Sequence, residues 1–136
     1  MFCRIISGEE PAHVVYQDAH TMAFLDRVPL FHGHTLLVPK EHHETLPDLP
    51  PRLLAPLFAV SQRLAAAMVD VIGATGSFVA INNTVSQSVP HLHVHVVPRR
   101  AKDGLRGFFW PRHRYDDDEQ MAEVAERLRA ELSAAE

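Results

Sequence analysis

The stretch HLHVHVV, residues 91 to 97, decides how the chain is interpreted, because it sets three histidines at alternate positions among small apolar residues. Successive side chains of a β-strand point to opposite faces of the sheet. His91, His93 and His95 therefore share one face. The other face carries the apolar residues between and after them: Leu92, Val94 and Val96. The pattern predicts a functional site built on one face of a strand.

Composition places this stretch in an ordinary globular protein. A length of 136 residues suits one domain, with a core over 1–100 and a basic, aromatic loop and a helix over 101–136. A charged fraction of 22% and a hydrophobic fraction of 46% exclude intrinsic disorder, and a net charge of −4 gives no support for a nucleic-acid partner. The single cysteine, Cys3, excludes a disulfide framework. With no apolar signal core or spanning segment recognised, we expect a cytoplasmic protein with no membrane partner.

Hydrophobic spacing predicts an α+β fold with an antiparallel sheet, one long helix and a C-terminal helix. The predicted strands are residues 13–17, 21–25, 34–38, 77–82 and 91–97, the last ended by Pro98. The long helix is predicted over 53–72, with Asp48 as its N-cap and Pro56 dividing a leading turn from the main helix. The acidic run 116–119 is predicted to open the last helix, which ends near residue 132. The histidine strand is expected to pair with the strand over 77–82.

Two kinds of chemistry suit the imidazole face. A strand rises about 3.3 Å per residue, so the backbones of His91 and His95 lie about 13 Å apart, too far to share one metal ion easily. A metal held by His93, His95 and His34 remains a rival interpretation. Nucleophilic attack on phosphorus fits better, because imidazole has a pKa of about 6.5 and is substantially neutral at pH 7. Gln87 and Ser88, just upstream, add donors for phosphate oxygens.

The motif resembles the His-φ-His-φ-His-φ-φ sequence (φ, apolar) of the histidine triad superfamily of nucleotidyl hydrolases and transferases. The resemblance extends to FCRIISGEEP at the start of the chain, to AFLDRVPLFHGHTLLVPKEH in the first sheet region and to SQSVPHLHVHVVPR. It implies a nucleotidyl hydrolase that releases a nucleoside monophosphate from a purine nucleoside phosphoramidate through a covalent nucleotidyl-histidine, without a required cofactor. A dinucleoside polyphosphate hydrolase and a non-enzymatic nucleotide-binding regulatory dimer are the alternatives.

The resemblance also implies a role for each site residue. His93 would be the nucleophile, His91 would orient it through its carbonyl, and His34 would support the triad. His95 and Ser88 would hold the α-phosphate, with Gln87 nearby. The nucleotide would be AMP or GMP, with its purine against an apolar wall of Phe2 and Ile5. Its ribose hydroxyls would donate to Asp26, and the loop residue Asn82 would help to position it. Phe2 and Ile5 also suit plain core positions, and Asp26 also suits a turn cap.

Some features depart from the family pattern. Many bacterial members hold a structural zinc with Cys-x-x-Cys and histidines, but here only Cys3 matches, so we expect no tightly bound metal at Cys3, His42 and His91. The loop over residues 82–88 is short and lacks glycine. Family members of this size form homodimers by joining their sheets, with the long helix adding to the interface. We expect contacts with the leaving group from a basic loop: Arg99, Arg100, Lys102 and Arg106. An aromatic residue after this loop, Trp110, is the candidate for contact with a partner subunit.

Overall fold

A computed structural model describes residues 1–105 and 112–134, in two compact units, 1–103 and 104–136. The first unit holds a short N-terminal helix, five strands and the long helix, and the second holds the C-terminal helix. The elements are α1 (Phe2–Ile6), β1 (Val14–Gln17), β2 (Thr21–Leu25), β3 (Thr35–Pro39), α2 (Leu54–Asp70), β4 (Gly76–Ile81), β5 (Val94–Arg99) and α3 (Asp118–Ala134). The predicted α+β class and each predicted element are confirmed, with shifts at their ends.

The five strands form one antiparallel sheet in the order β1-β2-β3-β5-β4. The first three strands form a meander, and the chain then crosses through α2 to return with β4 at the far edge. The expected pairing of the histidine strand with its upstream neighbour is confirmed, with Ile81 opposite Val94 and Ala80 opposite His95. On its other side β5 pairs with β3, so the histidine strand lies inside the sheet and is held from both sides.

Helix α2 covers one face of this sheet. Its buried side chains recur at helical spacing and pack against Leu92, Val94 and Val96 of the histidine segment: Leu57, Val60, Leu64 and Met68. The stretch Pro51–Asp70 is long and apolar enough to cross a membrane by length and composition alone, which the sequence expectation missed. One stripe of it is nonetheless buried against the sheet, as in the core helix of a folded domain.

The start of α2 differs from the prediction. Asp48 does not cap the long helix but belongs to a separate 3₁₀ turn, Leu46–Asp48, where its carboxylate accepts bonds from the Thr45 N–H at 3.2 Å and hydroxyl at 2.6 Å. Pro56 does not divide the helix either, since α2 begins at Leu54. The first four N–H groups of a helix have no partner within it, so a proline in this turn removes no hydrogen bond.

The histidine strand also begins and ends later than predicted. Regular pairing starts at Val94, so His91 and His93 lie in the extended segment that leads into β5. Pro98 does not end the strand, which continues to Arg99. The ladder with β3 stops at Val96, so the missing N–H of Pro98 falls where β5 is no longer paired with β3.

In the second unit, α3 begins two residues after the predicted start. The Asp117 carboxylate accepts a bond from the Gln120 N–H at 2.8 Å, which makes Asp117 the cap and Asp118 the first helical residue. The acidic residues therefore act both as a cap and as first-turn charges that complement the helix dipole.

Candidate active site

The imidazole face of the histidine segment lies opposite the α2 face and is covered by α1. Phe2 contacts two of the histidines edge-on, with ring centroids 5.9 Å from His91 and 5.1 Å from His93. His93 and His95 are themselves neighbours, 4.9 Å apart. The alternation read from the sequence thus separates core from site, even though two of the three histidines precede the regular strand.

The hydrogen bonds of His93 define its reactive atom. Its Nδ1 lies 2.7 Å from the backbone carbonyl of His91. A carbonyl oxygen only accepts, so Nδ1 must carry the proton, and Nε2 of the neutral ring holds the lone pair. The residue is 4% exposed and packs against Phe2, which limits rotation of the ring. His93 is therefore a buried imidazole held in one tautomer with a nucleophilic Nε2.

A second set of bonds fixes His95. The Leu30 N–H donates to Nδ1 of His34 at 3.1 Å, so neutral His34 carries its proton on Nε2. That Nε2 lies 3.0 Å from Nδ1 of His95 and donates to it. His95 must then carry its own proton on Nε2, where it is available to a phosphate oxygen. We refer to Asp26, His34 and His95 as the relay cluster.

Electrostatics keep the two histidines of the relay cluster neutral at neutral pH. Burial, together with the neighbouring His93 and His34, lowers the pKa of His95 to about 4, against the opposing effect of Asp26. Burial also lowers the pKa of His34, against the opposing effect of Asp26, whose carboxylate lies 3.6 Å from His34 Nε2. Neutral rings are what the directional donor chain requires, because an imidazolium at His95 would have no acceptor for His34.

A different arrangement holds His91. Its Nε2 donates to the Pro39 carbonyl at 2.9 Å, so the Nδ1 of the neutral ring is a lone pair. This Nδ1 faces His42 Nδ1 at 3.1 Å and the Cys3 sulfur at 3.6 Å, and the same sulfur lies 3.4 Å from His42 Nδ1. Burial lowers the pKa of His91, which keeps the ring a neutral ligand. We refer to Cys3, His42 and His91 as the anchor cluster.

The anchor cluster has the geometry of part of a zinc site. Zn–S bonds of about 2.3 Å and Zn–N bonds of about 2.0 Å place the donor atoms of a tetrahedral site roughly 3.3–3.6 Å apart. The three distances within the cluster, 3.1, 3.4 and 3.6 Å, are close to those edges. These residues therefore fit a three-ligand site, and the sequence expectation of no tightly bound metal stays a prediction.

The structure changes which residues the rival metal site would use. The relay cluster offers ligand atoms within 4.8 Å of one another, but among the described residues His93 belongs to no such group. His34 and His95 are thus close enough for one ion, as that interpretation required, with Asp26 in place of His93. His93 lies between the two clusters and belongs to neither.

A cavity of about 720 Å³ lies beside the relay cluster and is walled by apolar side chains. Phe2 and Ile5 line it while also belonging to a buried core with Phe24, so the core position is confirmed and the contact with a purine stays a prediction. Asp26 lines it as well. One carboxylate oxygen of Asp26 accepts the Val28 N–H at 3.0 Å, as a turn cap would, and the other faces His34. A largely apolar cavity with room for a nucleotide, beside a carboxylate, is what the nucleotide expectation requires.

The loop between β4 and β5 carries the remaining expected residues. Gln87 is bound to its surroundings: its amide N–H donates to the Glu44 carbonyl at 2.5 Å, and its oxygen accepts the Thr84 N–H at 3.0 Å. Ser88 is exposed on the approach to His91, and Asn82 directly follows β4 and is exposed. Thr84 and Ser86 adopt positive φ values of 69° and 61°, so the short loop achieves its turns without glycine.

The basic loop is only partly available for a leaving group. Arg99 is committed to an ion pair with Asp103 at 2.6 Å, and Arg100 donates to the Ile72 carbonyl at 3.1 Å. Lys102 is exposed, with φ at +60°. Arg106 and Trp110 lie outside the described residues.

Several partners in the site escape sequence reasoning. The Pro39 carbonyl, the Leu30 N–H and the His91 carbonyl fix three tautomers, but backbone groups carry no sequence signal. Glu10 and Arg27 line the cavity, and only their neighbours drew attention in the sequence. The sequence did offer one signal for them, the charge of each residue near positions expected to form an apolar wall.

Comparison with known proteins identifies the family of this chain. A sequence profile described as the HIT domain matches residues 7–102. The chain belongs to the HIT domain family. The crystal structure of a HIT family member from Bacillus subtilis superposes with a TM-score of 0.87 at 33% identity, covering 96% of this chain and 94% of that one. The HIT fold is thus established.

Other HIT proteins similar to this chain have been given activities or ligands by name. It is 31% identical to adenosine 5'-monophosphoramidase HNT1 of Saccharomyces cerevisiae over 100% of this chain and 84% of that protein. It is 36% identical to adenylylsulfatase HINT3 of Arabidopsis thaliana over 77% of this chain and 54% of that protein. A Zn-bound histidine triad protein from Mycobacterium smegmatis is 38% identical, with a TM-score of 0.70 and coverage of 99% and 96%. The HIT family therefore includes nucleotide hydrolases.

Proposed function

We propose that this HIT protein is a nucleotidyl hydrolase that cleaves purine nucleoside phosphoramidates at the α-phosphate through a covalent intermediate on His93. The observation that carries the proposal is the 2.7 Å bond from His93 Nδ1–H to the His91 carbonyl. It leaves a lone pair on Nε2 of a buried ring that packs against Phe2, one of the residues that line the cavity. A ring in the other tautomer would offer no nucleophile.

The reaction follows from the two tautomers. His93 Nε2 forms a bond to the α-phosphorus while the phosphorus–nitrogen bond of the substrate breaks, and the departing amine takes up a proton from solvent, to which the attacking water of the second step returns one. His95 Nε2–H donates to a phosphate oxygen on which charge develops, with the Ser88 hydroxyl as a second donor. Water then attacks phosphorus, the bond to His93 breaks, and the nucleoside monophosphate leaves.

The named activities of relatives support a bond to the α-phosphate as the target. A phosphoramidase and an adenylylsulfatase cleave different leaving groups from the same adenylyl moiety, and this shared moiety suits a site that binds the nucleotide more than the leaving group. A dinucleoside polyphosphate would present the same α-phosphate. We favour the phosphoramidate because two of the arginines expected to meet a polyphosphate, Arg99 and Arg100, are engaged within the fold.

The proposal is tested by His93→Asn. We expect the variant to lose at least a thousandfold in kcat against adenosine phosphoramidate while its affinity for AMP stays within a few fold. The control is His20→Asn, an exposed histidine in the β1–β2 turn, which should keep full activity. A nucleotidyl adduct on the wild-type protein, found by rapid-quench mass spectrometry and mapped to His93, would identify the intermediate. Full activity of His93→Asn contradicts the mechanism, and nucleotide binding without any turnover favours the regulatory alternative.

We further propose that the chemistry requires no cofactor. Zinc, when bound, would be held by Cys3, His42 and His91 and would supply a cross-link between α1 and the His91 segment. Chelation followed by metal analysis and an assay tests this: turnover should survive metal removal, and complete loss restored by zinc would contradict it. A single exposed cysteine suits a reducing compartment, and we propose the cytoplasm.

We also propose a homodimer joined through β4. This strand is at the sheet edge and presents Val79, 44% exposed, while the neighbouring face of α2 presents Phe58 at 42%. An unpaired strand edge beside exposed apolar residues favours pairing with a second sheet. Val79→Lys should give a monomer in analytical ultracentrifugation, whereas Val15→Lys on the opposite edge strand β1 should not. A monomeric wild-type protein at tens of micromolar would contradict the proposal.

A further inference from the structure

The cavity beside the relay cluster is lined mainly by apolar side chains, with polar groups at several points of its wall, His13 and Asp26 among them. Phe2, Ile5 and Phe24 provide its buried apolar surface. Glu10 and Arg27 also line it, and neither has a place in the proposed chemistry. Charged side chains on the wall of an apolar ligand cavity commonly orient the ligand and determine specificity.

Glu10 and Arg27 face each other but are only loosely paired. Arg27 Nη2 lies 4.0 Å from Glu10 Oε1, at the limit of an ion pair, and 3.4 Å from the Pro11 carbonyl. The Glu10 side chain is 27% exposed and that of Arg27 is 74% exposed. Such a pair contributes little to stability, so both groups can turn to a ligand at small cost.

The backbone around Glu10 is nevertheless fixed. The Glu10 N–H donates to the Arg4 carbonyl at 3.1 Å, which ties this segment to the end of α1. Helix α1 also carries Phe2 and Ile5, so the carboxylate and the apolar wall are held on one short stretch of chain. A base that packs on this wall therefore lies within reach of a carboxylate whose Cα position is constrained.

We propose that Glu10 and Arg27 read the polar edge of the purine base and select guanine over adenine. The inference rests on the proposed function, since it assumes that the cavity binds the nucleotide. Guanine presents the donors N1–H and N2–H₂ beside the acceptor O6, and it matches a carboxylate next to a guanidinium. Adenine presents the acceptor N1 where a carboxylate would need a donor.

Asp26 does not compete for this role. Its carboxylate faces His34 and the Val28 N–H, on the relay side of the cavity, and the nucleotide expectation gives it the ribose hydroxyls. Glu10 and Asp26 are separate acidic groups on one cavity, one for the base and one for the sugar. One bound nucleoside monophosphate would contact both carboxylates, Glu10 through its base and Asp26 through its ribose.

The test is titration calorimetry of the whole protein with GMP, IMP and AMP. We expect affinities in the order GMP, IMP, AMP, because inosine keeps N1–H and O6 but lacks the N2 amino group. The gap between GMP and AMP should be about tenfold, the lower part of the range for one bidentate contact, since the pair is partly exposed to water. Glu10→Ile should weaken GMP about tenfold and change AMP by less than twofold.

The control is Glu9→Ile, the adjacent exposed carboxylate, which pairs with Arg4 at 3.7 Å and does not line the cavity. It should leave the order and the gap unchanged. Equal or tighter binding of AMP by the wild type, or equal losses for all three nucleotides in Glu10→Ile, overturns the selectivity. Failure of all three nucleotides to bind the wild type overturns the nucleotide site itself, so the two proposals fail in distinguishable ways.

Discussion

The relay cluster and the anchor cluster lie on either side of His93 and are built from the same kind of residue, yet they present opposite atoms. In the relay cluster, donors follow one another from the Leu30 N–H through His34 to His95, and the last ring ends with a proton on Nε2. In the anchor cluster, Nε2 of His91 donates to a carbonyl and its Nδ1 lone pair faces two further ligand atoms.

This difference comes from backbone groups. A backbone N–H beside His34 makes its Nδ1 an acceptor, whereas a backbone carbonyl beside His91 makes its Nε2 a donor. Each choice propagates through the next ring because a neutral imidazole has one donor and one acceptor. The relay cluster is therefore suited to stabilise negative charge, and the anchor cluster is suited to hold a cation or to position the His91 carbonyl.

The largest effect on activity outside the nucleophile is expected at the end of the relay. His95→Ala removes the Nε2–H donor and should lower kcat by about 10²–10³-fold with a smaller change in KM, since the donor acts on charge that develops in the transition state. Steady-state assays with adenosine phosphoramidate measure this. A rise in KM with kcat unchanged would show that His95 only binds the substrate.

A smaller effect is expected one step earlier in the relay. His34→Ala leaves the tautomer of His95 unspecified while His95 remains in place, so kcat should fall about tenfold. His34→Gln should recover part of this loss, because its amide can still donate to His95 Nδ1, and a merely structural role would not require a donor. The control, His32→Ala, alters an exposed histidine two residues away and should keep the kcat of the wild type. Equal kcat values for His34→Ala, His34→Gln and His32→Ala would contradict a role for His34 in fixing the tautomer of His95.

The relay should also make stability depend on pH. Burial depresses the folded-state pKa of His95 from 6.5 to about 4, so between these values the unfolded chain binds more protons than the folded one. Stability is therefore fully present above pH 6.5 and is lost as the pH falls toward 4, by up to about 3 kcal/mol from this residue. Urea unfolding between pH 7.5 and 4.5 should show a shallower slope for His95→Phe than for the wild type. Identical slopes contradict a neutral buried His95.

Sequence reasoning located the strands and the face that carries the histidines because alternation and helical spacing are local properties. Leu92 and Val94 pack on α2 while His91 and His93 face α1, as the period of two required. The ends of elements were less accessible, since Asp48 has the residue type of a helix cap but serves a nearby 3₁₀ turn. The tautomers of the histidines could not be predicted from the sequence, because they depend on which backbone group lies beside each ring.

The resemblance to the family supplied the roles, and the geometry is consistent with several of them. It also named His91 in two groups, with Cys3 and His42 as a candidate metal ligand and as the residue that orients His93. Residue patterns alone would not have brought the first group together, since Cys3, His42 and His91 are separated by 39 and 49 positions. Contacts of this kind have no periodicity for a sequence pattern to reveal.

The smallest effect on activity is expected in the anchor cluster. Cys3→Ala and His42→Ala remove two of three ligand atoms but leave the bond from His91 Nε2 to Pro39 and the His91 carbonyl in place. Turnover should therefore fall by less than threefold, while zinc affinity, measured by competition with a chromophoric chelator, should fall by at least tenfold. His113→Ala, a histidine outside the cluster, controls for surface binding of the metal. A loss of turnover as large as that of His95→Ala would show that the two clusters are not distinct in function. The anchor would then control the tautomer of His93 through the His91 carbonyl, because that carbonyl is the contact it shares with the nucleophile.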